Sequence, residues 1–379
     1  MDFSLSDEQQ AIYDVAADFA ANEFLPNAEK WDREEIFPVE ALTKAAQLGF
    51  ASIYVAEDMG GAGLGRLEST LIFEGLSRGC PSTAAFLSIH NMASWMIDRF
   101  GSQAQREKFL PRLATYELKA SYCLTEPSSG SDAASLKTKA VKEGDHYILN
   151  GSKAFISGGG VNDIYVCMVR TGEEGPRGVS CLIIEKDAPG LSFGAKERKM
   201  GWHSQPTAQV NFTDCKVPVE NLVGAEGDGF KIAMQGLDGG RLNIASCSLG
   251  AADYAIEQTI AYMNERKQFG RSISEFQALQ FRLADMATHL EASRLMIRSA
   301  ANKVDKKAPD ATKAAAMAKY FATDMGFDIV NQALQLHGGY GYLQDFPLER
   351  LVRDLRVHQI LEGTNEIMRV IVAREMLKG

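Results

Sequence analysis

One acidic residue near the end of the chain has neighbours that favour a chemical role over a purely structural one. Glu362 follows the apolar pair Ile360–Leu361 and precedes Gly363 in the segment HQILEGTNEIMR. A solvated loop does not need two large aliphatic residues before its acid, and a buried helix rarely contains an unpaired glutamate followed by glycine. Burial would raise the pKa of this carboxyl group, whereas a nearby helix N-terminus would lower it.

A helix is predicted directly after this acid. Thr364 or Asn365 can cap its N-terminus, and Glu366 suits its positively polarised first turn. Three apolar residues then recur at helical spacing and predict its buried stripe: Ile367, Val370 and Ile371. Glu362 is therefore placed just before a helix N-terminus.

A second candidate pair lies in LDGGRLNIASC, residues 237–247. Asp238 and Arg241 are three residues apart on a predicted helix and can form one polar face, although an isolated pair of this kind is more often a surface ion pair. The two intervening glycines each cost about 1 kcal/mol relative to alanine in a helix. They indicate close approach by a ligand or another backbone.

Two segments rich in small and hydroxyl residues are candidates for contacts to a cofactor. CLTEPSSGSD (123–132) can offer N–H groups and hydroxyls to a planar ring or a phosphate, or it is an ordinary turn after Pro127. AFISGGG (154–160) places Phe155 and Ser157 at a strand end. An aromatic side chain there either stacks on a cofactor ring or joins the core.

Two helix ends complete the candidates. ERKQFGRSISEFQ (265–277) is basic, and its Arg266 is suited to bidentate binding of a diphosphate. LQLHGGYGY (334–342) ends a helix with a glycine pair that predicts a C-cap. His337 is interpreted as a capping or packing residue rather than a ligand.

The elements that position these residues fall into three regions. Residues 1–117 are predicted to be helical, with Ser6 as the first N-cap and a glycine-rich loop at 57–65. Residues 118–225 combine β-branched residues with regular turn signals and predict an antiparallel β-barrel or sandwich. Residues 226–379 return to long amphipathic helices, typical of an antiparallel bundle.

Strand predictions within the β region are more specific. HYILNGSKAFIS predicts two strands joined by a turn at Asn150-Gly151. DIYVCMVR, GVSCLIIEK and TAQVNFTDCKV predict three more. Since no βαβ unit is apparent, a nucleotide cofactor is expected to bind between domains.

Composition narrows the class of protein. The 379 residues carry a formal charge of −9, which argues against nonspecific binding to nucleic acid. No run of 18 apolar residues predicts a membrane span, and the first ten residues lack the features of a signal or transit peptide. We expect a cytoplasmic protein if the source is bacterial, or one of the mitochondrial matrix if the chain is a processed eukaryotic form. The six scattered cysteines and six histidines predict reduced thiols and no metal site.

Six motifs, in order along essentially the whole chain, resemble the acyl-CoA dehydrogenase family: YCLTEPSSGSD, FISGGG, GLDGGR, NERKQFG, QLHGGYGY and HQILEGTNEIMR. The resemblance implies an α+β fold with an N-terminal helical domain, a middle antiparallel β-barrel domain and a C-terminal antiparallel helical bundle. It also implies bound FAD, an acyl-CoA substrate, electron transfer flavoprotein as electron acceptor, and a homotetramer built as a dimer of dimers.

The resemblance assigns roles to individual residues. Glu362 matches the catalytic base, and its backbone N–H matches one of two donors to the thioester carbonyl, the other being a flavin ribityl hydroxyl. Some relatives carry the base on a bundle helix, where this chain has Gly240. The implied FAD contacts are Tyr122, Leu124, Thr125, Gly130, Ser131, Phe155, Ile156, Ser157, Arg266, Phe269, Phe276, Gln277, Gln335, Gly338, Gly339, Thr364 and Glu366. The implied substrate contacts are Ser131, Leu237, Asp238, Arg241, Gly363 and Arg374.

Two of these assignments carry further detail. Arg266, Phe269, Gln335 and Gly339 resemble contacts to the FAD of a neighbouring subunit. Phe155 stands where many members of the family carry tryptophan.

Within the family, the chain most resembles members that convert isobutyryl-CoA to methacrylyl-CoA in valine breakdown. Members acting on 2-methylbutyryl-CoA or butyryl-CoA are the alternatives, followed by acyl-CoA oxidases and noncatalytic acyl-CoA-binding proteins. Many straight-chain members have tyrosine before the base, where this chain has Leu361. Leu361 either makes room beside a branched α-carbon or packs under the final helix.

Overall fold

The computed structural model describes residues 4–378. Its first part is helical, as predicted. Ser6 caps the first helix in a capping box, because its hydroxyl accepts from the Gln9 N–H and the Gln9 side chain accepts from the Ser6 N–H, each at 3.2 Å. The helices are α1 Asp7–Phe19, α2 Ala28–Arg33, α3 Val39–Gln47, α4 Arg66–Gly79, α5 Pro81–Phe100 and α6 Gln103–Ala114, with a π-helical turn at Ala20–Phe24.

The middle part forms one eight-stranded sheet. Its strands are β1 Ala120–Cys123, β2 Lys139–Glu143, β3 His146–Ser157, β4 Ile164–Arg170, β5 Val179–Glu185, β6 Leu191–Phe193, β7 Thr207–Pro218 and β8 Leu222–Val223. The order is β6-β7-β3-β2-β4-β5-β8, with β1 pairing β4 as well. Most neighbours are antiparallel, while β4 pairs with β1 and, at one position, β2 in parallel. The predicted fold class, a β region between two helical regions, is confirmed.

The predicted turn at Asn150-Gly151 is wrong. β3 is continuous, and both its halves pair with β7, as in Ile148 with Lys216 and Lys153 with Val210. Leu149 pairs with Cys215 and Gly151 with Phe212, so a β-bulge between these positions places one extra residue on β7. Gly151 has a φ of 147°, and a side chain there would come within 2.6 Å of the Thr138 hydroxyl.

The last part is a helical bundle. Its helices are α7 Gly229–Glu265, α8 Gln277–Asp305, α9 Ala311–His337, α10 Leu348–Arg356 and α11 Asn365–Leu377, and the short hairpin β9 Lys267–Gln268 and β10 Arg271–Ser272 joins α7 to α8. α7 is unbroken despite its glycines and packs against α4, α5 and α9. No helix within residues 4–378 is long and apolar enough to cross a membrane.

The predicted stripe of the final helix is partly wrong. Ile371 is buried, but Val370 is 58% exposed, and Met368 is buried in its place. Met368 and Ile371 pack with Ala316 in a small cluster between α11 and α9. α11 packs mainly against α9, and Met368 rather than Val370 faces that helix.

Candidate active site

Glu362 lies in the short loop that joins the 3₁₀ turn Val357–Gln359 to α11. Its backbone is left-handed, with a φ of 56°, and Gly363 follows with a φ of 88°. A residue other than glycine is strained in this conformation, so the surrounding structure must hold Glu362 in place. The reversal turns the carboxylate towards α7.

The glycines of α7 make room for two side chains. A Cβ built on Gly240 would lie 2.6 Å from Oε2 of Glu362, so this carboxylate occupies the space of a side chain at position 240. A Cβ on Gly239 would clash with the Arg66 guanidinium. The close approach predicted here is therefore made by side chains, where the sequence indicated a ligand or another backbone.

The Asp238–Arg241 pair is not a surface ion pair, because Arg241 is buried and Asp238 is partly buried. The Arg241 side chain is 5% exposed and donates to Asp238 Oδ1 at 2.6 Å. Arg241 Nε also donates to the Glu362 carbonyl at 3.3 Å. Asp238 accepts a second hydrogen bond, from the Thr312 hydroxyl at 3.0 Å. This network joins α7 to the loop that carries Glu362.

A lysine that the sequence analysis missed supports the same loop from α9. Lys319 is fully buried, and its Nζ donates to the Gly363 carbonyl and to Asn365 Oδ1, each at 2.8 Å. Burial lowers the pKa of Lys319 to about 7. The available signal was its position between Ala315 and Ala322 on the buried stripe of α9.

Electrostatics make the Glu362 carboxylate a stronger base than one in water. Burial raises the pKa of Glu362 to about 7, against the opposing charges of Arg241 and Lys319. Its Oε2 is buried and has no hydrogen-bond partner in the described part of the chain. The hydroxyl of Tyr122 is likewise buried without a partner among residues 4–378. A buried acceptor without a donor indicates a group that a ligand completes.

The two small-residue segments meet at the end of β3. The Ala154 N–H donates to the Thr125 carbonyl at 2.9 Å, which holds the loop 124–131 against the strand. Phe155 lies at a second register shift of β3, with a φ of 58°, and is 68% exposed. This exposure rules out the core interpretation for its ring and leaves it free to stack on a planar ligand.

Other residues of this group differ in exposure. Leu124 is partly buried, whereas Gly130 and Ser131 are exposed on the outer part of the loop. Ile156 and Ser157 are buried, and the Ser157 carbonyl accepts from Ser121 Oγ at 2.7 Å. The side chain of Ile156 packs into the core of the sheet, so only its backbone is available to a ligand.

A groove of about 770 Å³ gathers most of the remaining predicted cofactor residues. It is lined by Arg266, Phe269, Phe276, Gln335, Gly338 and Gly339. Phe269 is 93% exposed, which is unusual for a large apolar ring. Gln277 begins α8 beside the groove but is not among its lining residues. His337 is a packing residue, as predicted, because its ring stacks on Tyr262 with 4.2 Å between the ring centroids.

The predicted site residues around α11 differ in their contacts and exposure. Thr364 caps α11 by accepting from the Ile367 N–H at 3.3 Å. Glu366 is exposed, and the Arg374 side chain is 59% exposed with Glu375 as its ionic neighbour. The structure shows no contact between either residue and Glu362. Leu237 is buried, directly before Asp238 on α7.

Comparison with known proteins gives the class of protein. Models of the acyl-CoA dehydrogenase N-terminal, middle and C-terminal domains match residues 6–117, 121–215 and 227–377. The chain belongs to the acyl-CoA dehydrogenase family, and its activity is that of a flavoprotein dehydrogenase with FAD as cofactor. The predictions of family, enzyme class and cofactor are confirmed.

Individual relatives are similar over 90% or more of their length. A mitochondrial isobutyryl-CoA dehydrogenase of Bos taurus is 60% identical over 99% of this chain and 90% of its own. A chain from the structure of the electron transferring flavoprotein of Acidaminococcus fermentans is 44% identical, with full coverage of both chains and a TM-score of 0.97. The FAD complex of PigA is 32% identical, again with full coverage of both, at a TM-score of 0.96.

The residues present fit FAD. Phe155 offers an exposed ring beside a loop rich in hydroxyl and N–H groups, which suits a planar ring. The groove combines an arginine with exposed aromatic residues, which suits a diphosphate and an adenine. When bound, FAD would supply the hydride acceptor.

Proposed function

We propose that the chain catalyses the α,β-dehydrogenation of isobutyryl-CoA to methacrylyl-CoA, with Glu362 as the base that takes the α-proton. The observation that carries this proposal is the buried, unpartnered Oε2 of Glu362 beside Gly240. A base works best when its pKa lies near the working pH, and burial raises that of Glu362 to about 7.

Each supporting residue has a defined part in this step. Arg241 and Lys319 hold the loop through the carbonyls of Glu362 and Gly363, so the carboxylate keeps its direction. The backbone N–H of Glu362 donates to no acceptor in the described residues. We infer that it stabilises the thioester carbonyl as negative charge develops there. When bound, FAD would supply the acceptor for the hydride that leaves the β-carbon.

The branched substrate is supported by the 60% identity to an isobutyryl-CoA dehydrogenase. Leu361 is partly buried and packs against the cluster that includes Ile244 and Cys247 of α7. It is not among the residues packed against the Met368–Ile371 cluster of α11, which favours a role beside the acyl group over packing under α11. Butyryl-CoA and 2-methylbutyryl-CoA remain the alternative substrates, since one methylene in an apolar pocket changes binding by only about 1–3 kcal/mol.

We also propose that FAD is shared between subunits of a homotetramer. Arg266, the C-cap of α7, lies 26 positions after Gly240 on that helix, a distance of about 39 Å at 1.5 Å per residue. The groove at Arg266 is therefore remote from Glu362 of the same chain. Its exposed Phe269 ring is consistent with coverage by another subunit and its cofactor.

Electron transfer flavoprotein is the proposed electron acceptor, supported by the similarity to a chain of the Acidaminococcus fermentans structure. The location is proposed to be the mitochondrial matrix or a bacterial cytoplasm, since the Bos taurus relative is named as mitochondrial.

The test is kcat/KM for isobutyryl-, 2-methylbutyryl-, butyryl- and octanoyl-CoA, with electron transfer flavoprotein as acceptor. We expect isobutyryl-CoA to be preferred, 2-methylbutyryl-CoA to follow and octanoyl-CoA to be poor. A clear preference for butyryl-CoA would overturn the branched-chain assignment. Equal rates with oxygen as the only acceptor would instead indicate an oxidase.

A further inference from the structure

A buried ion pair lies beneath the segments assigned to the flavin and has no part in the mechanism above. Lys153 Nζ of β3 lies 2.8 Å from Glu126 Oε1 of the loop 124–131, and the two side chains are 0% and 4% exposed. Burying two charges is costly, and apolar residues of similar volume often replace such pairs without loss of stability. The hydrogen bonds that the two side chains make to the backbone therefore decide whether an ionic pair is favoured at this place.

The pair fixes three stretches of backbone at once. Glu126 Oε2 accepts from the Lys137 N–H at 2.6 Å, and its Oε1 accepts from the Thr138 N–H at 2.8 Å. Lys153 also donates to the Leu124 carbonyl at 3.1 Å. An apolar pair would leave the buried Thr138 N–H without this partner, at a cost of about 1–3 kcal/mol, and would release the part-buried Lys137 N–H and Leu124 carbonyl. The ionic pair thus joins the loop 124–131, the approach to β2 and the strand β3.

The stretches that the pair joins are the ones that carry the flavin candidates. Leu124 and Thr125 directly precede Glu126. The Thr125 carbonyl accepts a hydrogen bond from the N–H of Ala154, the residue after Lys153. Phe155 follows two residues after Lys153, at the register shift that exposes its ring. The separation between Thr125 and Phe155 is therefore set by the Ala154–Thr125 hydrogen bond together with the Glu126–Lys153 pair.

We propose that Glu126 and Lys153 are positioning residues of the FAD site, which hold the loop 124–131 and the Phe155 bulge at the spacing that the flavin ring requires. A preorganised loop avoids the entropy cost of ordering when the cofactor binds. The proposal rests on the assignment of these two segments to FAD under the proposed function.

The test compares Glu126→Gln and Lys153→Met with Glu74→Gln. Glu74 is a matched control, because its side chain is 3% exposed and lies 2.8 Å from Arg294 Nε, in a pair between α4 and α8. FAD affinity is measured by flavin fluorescence, together with Tm, the visible flavin spectrum, and kcat and KM for the acyl-CoA. We expect both site variants to weaken FAD binding at least tenfold, about 1.4 kcal/mol, and to shift the flavin spectrum, with KM little changed. The control should lose Tm with FAD affinity within threefold of wild type.

Two results would overturn the proposal: FAD affinity within threefold of wild type in both site variants, or an equal loss of affinity in Glu74→Gln. If Lys153→Met does not fold, Lys153→Arg decides, because it keeps the charge but changes the reach to Leu124 and Glu126. A folded Lys153→Arg protein with unchanged FAD affinity would likewise refute the positioning role. The affinity readout does not depend on Glu362, so failure of that residue as the base would be seen separately, as retained turnover in Glu362→Gln.

Discussion

Substitution of Gly240 by alanine is predicted to displace the base while leaving the fold intact. The added Cβ would lie 2.6 Å from Glu362 Oε2, and ordinary contact begins at 3.4 Å, so the carboxylate must retreat by about 0.8 Å. Misplacement by about 1 Å costs on the order of 100-fold in rate. We therefore expect kcat to fall by roughly 10- to 100-fold.

The stability of this variant should move in the opposite direction. The displaced group is the end of a flexible side chain, so the clash is relieved without moving backbone. Alanine in a helix is favoured over glycine by roughly 0.5–1 kcal/mol. Tm is thus expected to be unchanged or slightly raised while catalysis falls.

The assay is anaerobic reduction of the bound flavin by isobutyryl-CoA, followed in single turnover. Gly239→Ala is the matched control, since it changes the neighbouring residue of the same helix and displaces Arg66 instead of Glu362. Its rate should fall far less than that of Gly240→Ala. A Gly240→Ala rate within threefold of wild type would refute the placement of the base against α7.

Three further predictions concern charge and assembly. Because burial raises the pKa of Glu362 to about 7 from 4.5, the stability that its neutral form contributes is lost as pH rises through 7. The Tm of Glu362→Gln minus the Tm of wild type should therefore grow between pH 4.5 and 8, and a constant difference would contradict the raised pKa. Lys319→Met removes a charge that lowers the pKa of Glu362, so the acidic limb of the kcat/KM profile should move to higher pH, and an unmoved limb would exclude this electrostatic role. Arg266→Ala should weaken FAD binding by at least tenfold, about 1.4 kcal/mol, and light scattering should show a tetramer for wild type; an active, FAD-loaded monomer would refute the shared site.

The sequence predicted the helices of the bundle well, because α7, α8 and α9 are long, at 37, 29 and 27 residues. It failed at Asn150-Gly151, where a local turn signal cannot be distinguished from a bulge until the shared partner strand is known. The failure at Val370 has a similar origin, since periodicity does not reveal how many neighbours a helix has.

The active site likewise has features that the sequence predicted and features that only the three-dimensional structure shows. The sequence showed that Gly239 and Gly240 are costly in a helix. It did not show that Arg66 and Glu362 fill the space beside them, because those residues lie far away along the chain. The buried lysines 153 and 319 were missed, because lysine is normally exposed and only three-dimensional contacts supply their partners. Residue roles in the active site came from the resemblance to a family rather than from local pattern.

The most direct test of the central claim is flavin reduction in Glu362→Gln. The amide fits the same space but cannot accept the α-proton, so the variant should keep FAD and bind acyl-CoA yet lose nearly all flavin bleaching on anaerobic addition of isobutyryl-CoA. Bleaching at a rate within about tenfold of wild type, a difference of roughly 1.4 kcal/mol, would show that another group is the base.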